Sequence, residues 1–497
     1  MSKKQLLKNS SVMSLIRFNN VLRRSVSKIL SRKYLYLLLL LILWSIIYPV
    51  DLGRLSLFNC ETYRVGVAIE IKEYKDLFNP VYNGSSYYAK PSIFSYVIHL
   101  FFECANIYSE AIARLPNALL VGLVIISSYF LLSFLGITLA ASISTAFLVL
   151  YGVFHYGRSA EIDFFFSGII YLSLIIIIRH RFYKKSLLNI IFCGVLQGVA
   201  FLIKGPFGLA MLFGLMFLFV IRKYGDLRSV LLELFSILVI VVAVVSVYAT
   251  QLLFLHPYAA SIWLHEISIR FFSPFDAKQL FYERLRALFY FFPFSPFIYI
   301  GLSGIDKERL KLIYELTVYL FVLILCLFLM PGFQSQYIMP VVCFSSIPVG
   351  LILGSQLEKR VLKKFFLFCG TGFVLCFCMV YIIFPQISEY RGTRSVSHQF
   401  LEVISQESNT IPIIVDESES DVIPYLRMAK LKNNIIYHSS GRSTTFSGVL
   451  YYISAGSDKF CRQYDNVRLL RVGYAQRGFL MNKEKVCLFL ISNPKLK

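Results

Sequence analysis

Residues Tyr34–Val50 read YLYLLLLLILWSIIYPV, and at Asp51 a polar stretch begins that runs to Arg114. The apolar run has one reading. As a helix rising about 1.5 Å per residue it nearly crosses a hydrocarbon core of about 30 Å. The runs Leu119–Leu135, Leu231–Val247, Leu312–Met330 and Lys364–Phe384 repeat the pattern. Backbone groups in lipid need partners within their own segment, so these runs are helices. The dyad alternation of a membrane barrel is absent. The chain is 57% hydrophobic and its mean hydropathy is +0.66, above the roughly 45–50% apolar content of soluble domains.

Eleven spans are expected, near 34–50, 116–135, 137–154, 163–179, 187–203, 206–221, 229–252, 285–302, 312–330, 337–354 and 364–384. The first 33 residues hold nine Lys or Arg and no acid. Further basic clusters follow apolar runs at Arg179–Lys185, Arg222-Lys223, Lys307–Lys311 and Lys359–Lys364. The positive-inside rule then puts the N-terminus in the cytoplasm. An odd span count puts the C-terminus outside, with residues 51–115, 254–284 and 385–497 on that outer side. The net charge of +22 is thereby assigned to topology and anionic lipid rather than to nucleic acid. Tyr34–Val50 reads as an anchor, since no small-residue cleavage pattern follows it.

The expected fold is therefore an α-helical polytopic membrane protein with a small C-terminal α/β domain. Residues 1–33 form a basic cytoplasmic segment, 34–385 the transmembrane domain and 386–497 the extracytoplasmic domain. In that last part Ile411–Val415, Asn434–Tyr437, Gly448–Ile453 and Lys485–Ile491 read as strands and Asp421–Lys430 as a helix. In the first outer loop, Glu61–Tyr74 reads as a helix at the membrane interface, and Pro91 opens a second helix over Ser92–Phe102. Most of the ten cysteines lie in or beside spans, where a buried thiol is the default. Cys461 and Cys487 either pair or stay reduced.

Several polar groups lie where lipid begins. Glu61 follows the first span by about ten residues. It is either a solvated loop acid or a general base at the membrane face. Arg158, Glu161 and Asp163 flank the start of the fourth span. The acids suit the helix dipole there, but that leaves Arg158 unexplained, and these charges need either partners or a polar cavity. Lys204-Gly205-Pro206 joins the fifth and sixth spans. Its lysine is either a snorkelling anchor or a phosphate ligand beside helix N-terminal amides. Lys90, Arg270 and Tyr337 are further donors expected on the same side. Converging cations suit an anionic headgroup and a departing phosphate.

In order and spacing these positions resemble the GT-C membrane glycosyltransferases, above all the lipid A aminoarabinose transferases and the protein O-mannosyltransferases. Cys60-Glu61 resembles the acid–acid motif of those enzymes in its second half. Tyr87-Tyr88-Ala89-Lys90-Pro91-Ser92 resembles their Tyr-Phe-Glu-Lys-Pro-Pro segment. Ala113-Arg114-Leu115-Pro116 matches intact, and Arg158…Asp163 resembles their Arg-x-x-x-x-Asp. Ile203-Lys204-Gly205-Pro206 resembles Thr-Lys-Gly-Pro. Trp263, Glu266, Arg270 and Phe271 resemble a Trp-x-Glu-x-x-x-Arg-Phe loop, and Tyr337–Pro340 a late Tyr-x-x-Pro. The likeness covers about residues 34–355.

The resemblance implies transfer of a sugar from a polyprenyl phosphate to lipid A, another glycan or a protein, in a bacterial inner membrane. It implies Glu61, Asp163 and Glu161 as catalytic acids. Lys90, Arg114, Arg158, Lys204, Glu266, Arg270 and Tyr337 would bind substrate. The donor arrives activated, so no cofactor is expected. Two departures stand out. Cys60 replaces the family's first acid, so the base would be Glu61, Asp163 or Glu161, or the acceptor would be an anion that needs none. Ala89 replaces a possible metal ligand, so no metal is expected there. The alternatives are a transporter or lipid flippase, a non-catalytic scaffold, and a catalytically silent member of the class.

Overall fold

The computed structural model describes residues 32–54, 57, 60–74, 79–82, 85–88, 91–134, 145, 148–149, 153–182, 185–205, 207–221, 226–256, 259, 261–262, 265, 268, 277–291, 307–330, 333–356, 374, 378, 382, 397, 399–404, 411–416, 423–428, 435–438, 449–454, 467–477 and 482–492. Three of the expected spans, 137–154, 285–302 and 364–384, lie mostly outside these residues.

The helices are α1 (Arg32–Ile47), α2 (Cys60–Tyr74), α3 (Ile93–Ala105), α4 (Glu110–Phe134), α5 (Ile162–Phe182), α6 (Leu187–Lys204), α7 (Phe207–Ile221), α8 (Leu227–Leu255), α9 (Ala277–Phe291), α10 (Lys307–Phe328) and α11 (Met339–Gln356). Among the described residues, stretches of α4, α5, α6 and α8 are long and apolar enough to cross a membrane. Five shorter apolar helical stretches accompany them, in an arrangement that fits an integral membrane protein.

Burial separates the centre of the bundle from its rim. The apolar window of α5 is 78% buried and that of α8 only 17%. Accordingly α5 is apolar on every side, as a central helix must be. Its few polar groups are paired: the Tyr171 hydroxyl lies 2.9 Å from Ser128 Oγ and 3.3 Å from Ser346 Oγ, and Ser173 Oγ accepts from Gln197 Nε2 at 2.6 Å. The last bond ties α5 to α6. On its other side α6 meets α8 through Gly194 and Gly198. A Cβ on either would stand 2.7 or 2.8 Å from the side chains of Ile240 and Val244. With no hydrophobic force between helices in lipid, such small residues let backbones approach closely.

Two differences from the sequence expectation bear on the site. The second predicted span starts at Glu110, six residues before Pro116, so Pro116 lies inside α4 and Arg114 is on the helix. As the seventh residue Pro116 is past the four N–H groups that lack intrahelical partners, so it removes one interior backbone hydrogen bond of α4. And α2 is enclosed by the protein rather than exposed along one face: every residue from Glu61 to Ile71 except Tyr63 is buried. The bundle's main apolar core takes in Val65, Ala68 and Ile69 of this helix. A short hairpin, β1 (Val81–Tyr82) and β2 (Ser85–Ser86), packs beside it.

The C-terminal part holds β3 (Ile413–Asp416), α12 (Ile423–Met428), β4 (Ile435–His438), β5 (Val449–Ser454), β6 (Val467–Arg477) and β7 (Asn482–Ser492). The strands form one mixed sheet, ordered β4-β3-β5-β7-β6. β3 runs parallel to both β4 and β5, and β7 is antiparallel to β5 and β6. Phe400, Ile404, Ile413, Val415, Ile423, Leu426, Tyr451, Ile453, Val486 and Leu488 form its own core. β6 was not read from the sequence. Cys487 is buried in β7, and Cys461 lies outside the described residues.

Candidate active site

α5 and α6 are joined by a short connection and pack together along their length. The first turn of α5 therefore meets the last turn of α6. Asp163, in that first turn, and Lys204, in that last turn, form an ion pair. Both side chains are more than nine-tenths buried, and each sits at the helix end its charge favours. Lys204 Nζ also lies 4.4 Å from the centroid of the Tyr337 ring and 6.0 Å from that of Phe166. Tyr337 is held on a 3-10 turn, Ser335–Ile338, that leads into α11. Gly205 follows Lys204 with φ +91° and ψ −162°, a conformation open essentially to glycine alone.

Glu61 and Arg114 form a second buried pair. Arg114 Nε and Nη2 donate to the two oxygens of Glu61 at 2.8 and 2.7 Å. The amide of Ala160 donates to Glu61 Oε1 at 2.6 Å. The remaining arm of Arg114, Nη1, donates to the Leu52 carbonyl at 2.7 Å. This bidentate, charge-assisted geometry joins α2, α4 and the approach to α5 at one point. In the structure Glu61 is a buried anion and Arg114 is its counter-ion.

Arg158 also has a backbone task. Its Nη1 donates to the carbonyls of Ile47 and Tyr48, the latter at 3.2 Å. Its Nη2 reaches those of Val50 at 2.9 Å and Asp51 at 3.5 Å. These carbonyls include ones left without helical partners where α1 ends, and an arginine satisfies them well. The helix dipole that accounted for the neighbouring acids left this cation unexplained; the end of α1 explains it.

Glu161 sits between these groups, half-buried just ahead of α5. Burial pushes its carboxyl up to about 8, and the nearby charges of Glu61 and Asp163 add to the rise, while Lys204 and Arg286 oppose it. A carboxyl that titrates near neutral pH is suited to proton transfer. Asn117 Nδ2 fixes its backbone, donating to the carbonyls of Ser159 at 2.7 Å and Glu161 at 2.8 Å.

Glu61, Arg114, Arg158, Glu161, Asp163, Lys204 and Tyr337 thus gather at one end of the bundle. Lys90, Glu266 and Arg270 lie outside the described residues. Asn117 and Arg286 were not singled out from the sequence. Asn117 carried one signal, a lone amide three residues beyond Arg114 on an apolar helix.

The bundle of apolar helices, followed by a mixed sheet, has the GT-C fold by its likeness to solved structures. The particular likeness is to ArnT from Cupriavidus metallidurans, crystallised with undecaprenyl phosphate. That structure matches at a TM-score of 0.68 and 14% identity, over 91% of this chain and 97% of that one. The apo crystal structure of the same enzyme matches equally. No protein-family model and no curated protein sequence matches the chain.

Proposed function

We propose that this chain is a membrane glycosyltransferase that takes a sugar from a polyprenyl-phosphate donor and passes it to an acceptor outside the cytoplasm. One observation carries the reading: in a GT-C fold, the buried Asp163–Lys204 pair, with the Tyr337 ring 4.4 Å from the lysine, stands at one end of the bundle beside Glu161. The bound undecaprenyl phosphate of the ArnT crystal structure supports the donor class. Eleven spans, a cytoplasmic N-terminus and an extracytoplasmic α/β domain complete the proposed architecture, with lipid A, another glycan or a protein as the acceptor.

In this reading Lys204, Tyr337 and Arg286 hold the donor phosphate, joined by Lys90 and Arg270 from the outer loops. Asp163 keeps Lys204 aligned until phosphate arrives. Glu161 takes the proton of the acceptor hydroxyl. The acceptor oxygen attacks the anomeric carbon as the bond to the phosphate oxygen breaks, and the lipid phosphate leaves as an anion against the cations. One preorganised contact of this kind is worth roughly 3–4 kcal/mol. The experiment is release of lipid phosphate by purified protein from a panel of polyprenyl-phosphate sugars, with and without lipid A, alongside Lys204→Ala and Glu161→Gln. Release that needs donor and acceptor and collapses in both variants is expected. Donor binding without release by the native chain would overturn the catalytic reading in favour of a silent member of the class.

A further inference from the structure

Among the described residues, the short helix α12 of the C-terminal part packs on the bundle, and the contact falls on the helix that carries Glu61. α12 has two working faces. Ile423 and Leu426, three residues apart, are buried in the core of the sheet. Tyr425 is buried instead in the core of the transmembrane bundle, and Met428, again three residues on, packs against it. Three-residue spacing keeps each pair on one side of a helix, so α12 is inserted into both cores at once.

Its polar groups continue the pattern. The Leu57 amide donates to the Tyr425 hydroxyl at 2.5 Å, across 368 positions of sequence. Arg427 Nη2 stands 3.3 Å from Glu70 Oε1, and Glu70 is only 1% exposed. Between these points Gly66 lets α2 come close. A Cβ there would stand 2.6 Å from the Tyr82 ring and 3.7 Å from Pro424. The segment from Val50 to Glu61 is thus held from both sides. Arg158 and Arg114 grip it from the bundle at Val50 and Leu52, and Tyr425 grips it from the sheet at Leu57. Glu61, with Arg114 and Ala160, begins the next turn. Burial raises the Tyr425 hydroxyl above its ordinary range, with the Glu110 charge adding to the rise. It therefore stays protonated and neutral beside the charged pair.

From this geometry we infer that α12 is a clamp on the active site: Tyr425 and Arg427 are positioning residues that hold α2 in the register at which Glu61 meets Arg114 and Ala160. The C-terminal sheet acts on the reaction through α2, without reaching the substrate. The catalytic part of the inference rests on the glycosyltransferase reading; the clamp itself rests on contacts alone.

The test uses the full chain in nanodiscs with two readouts. Tyr425→Phe deletes one hydroxyl and keeps the ring, and Arg427→Met deletes the charge and keeps the stem, with Arg427→Lys as the conservative rescue. Amide hydrogen exchange should accelerate over 57–74 in the first two variants and stay near native in the lysine variant. Donor-dependent release should fall roughly 10- to 100-fold in kcat, the size of effect that a small misplacement produces, with KM for the donor within about twofold. Native exchange over 57–74 in Tyr425→Phe and Arg427→Met would overturn the clamp. Accelerated exchange with native kcat would confine α12 to stability and overturn its catalytic part. If the native chain releases no phosphate, the exchange experiment still decides the clamp, and the glycosyltransferase reading fails separately.

Discussion

Changing Glu61 to Gln keeps the shape of the side chain and removes its charge. In the structure this carboxylate is 2% exposed, Arg114 is 4% exposed, and three short bonds of 2.6–2.8 Å converge on it. The amide would leave the guanidinium buried without a counter-charge and turn an N–H donor toward its donors. Breaking such a pair from one side costs about 3–5 kcal/mol. With an unfolding entropy of about 2 cal/mol/K per residue, the chain should melt roughly 3–5 °C lower. Removing both charges, as Glu61→Met with Arg114→Met, should recover part of the loss. A deficit of about 2 kcal/mol should remain for the two bonds lost at the Leu52 carbonyl and the Ala160 amide. Thermal unfolding in detergent, followed by intrinsic fluorescence, measures all three. A Glu61→Gln variant that melts with the native protein yet releases no lipid phosphate would refute the reasoning, because the carboxylate would then serve chemistry and not the scaffold.

Three further outcomes follow from the site and the bundle. Between about pH 4.5, the ordinary value, and about pH 8 folded Glu161 keeps a proton that the unfolded chain has lost, so stability should decline with rising pH across that window and level off above it. Melting curves from pH 5 to 9 should show the slope in the native chain and not in Glu161→Gln, and release should rise toward pH 8 only when Glu161 is present. Gly205→Ala meets no atom within 4 Å yet forces a side chain into a glycine-only conformation. It should cost about 1–3 kcal/mol in melting experiments and weaken donor binding by displacing Lys204. Gly198→Leu drives a side chain into Val244. It should destabilise by about 1–3 kcal/mol as overpacking does, while Val195→Leu, on the same helix but more exposed, should melt as the native chain does.

The helical framework was legible because membrane spans are written in composition and length, as α5, α6 and α8 illustrate. The start of α4 was not, because Pro116 mimics a helix beginning and hides the turn that carries Arg114. β6 escaped notice because Arg468, Arg471 and Gly473 interrupt its apolar pattern, and a register shift between Leu469 and Arg471 breaks the alternation. At the site, residue types could be read but pairings could not. Asp163 finds Lys204 because two antiparallel helices bring distant ends together, and no local pattern encodes that. The bond from Leu57 to Tyr425 spans 368 of the 497 positions. The buried face of α2 was equally hidden, since its charges Glu61, Arg64 and Glu70 look like the surface of a helix until their surroundings are known.

One dimension of the rim helix bears on where this protein can work. The membrane-crossing part of α8, Leu227–Gln251, has 25 residues, about 37 Å of helix, against a hydrocarbon core of about 30 Å. Arg228 and Glu233 stand in its first two turns, so the uncharged part, Leu234–Gln251, is about 27 Å long and close to that thickness. Because α8 is locked through Gly194 and Gly198 to the helix that ends in Lys204, a change in bilayer thickness is transmitted as a change in the height of the lysine. Hydrophobic mismatch thereby becomes a variable of the active site, and short-chain and long-chain lipids should support different turnover from the same polypeptide.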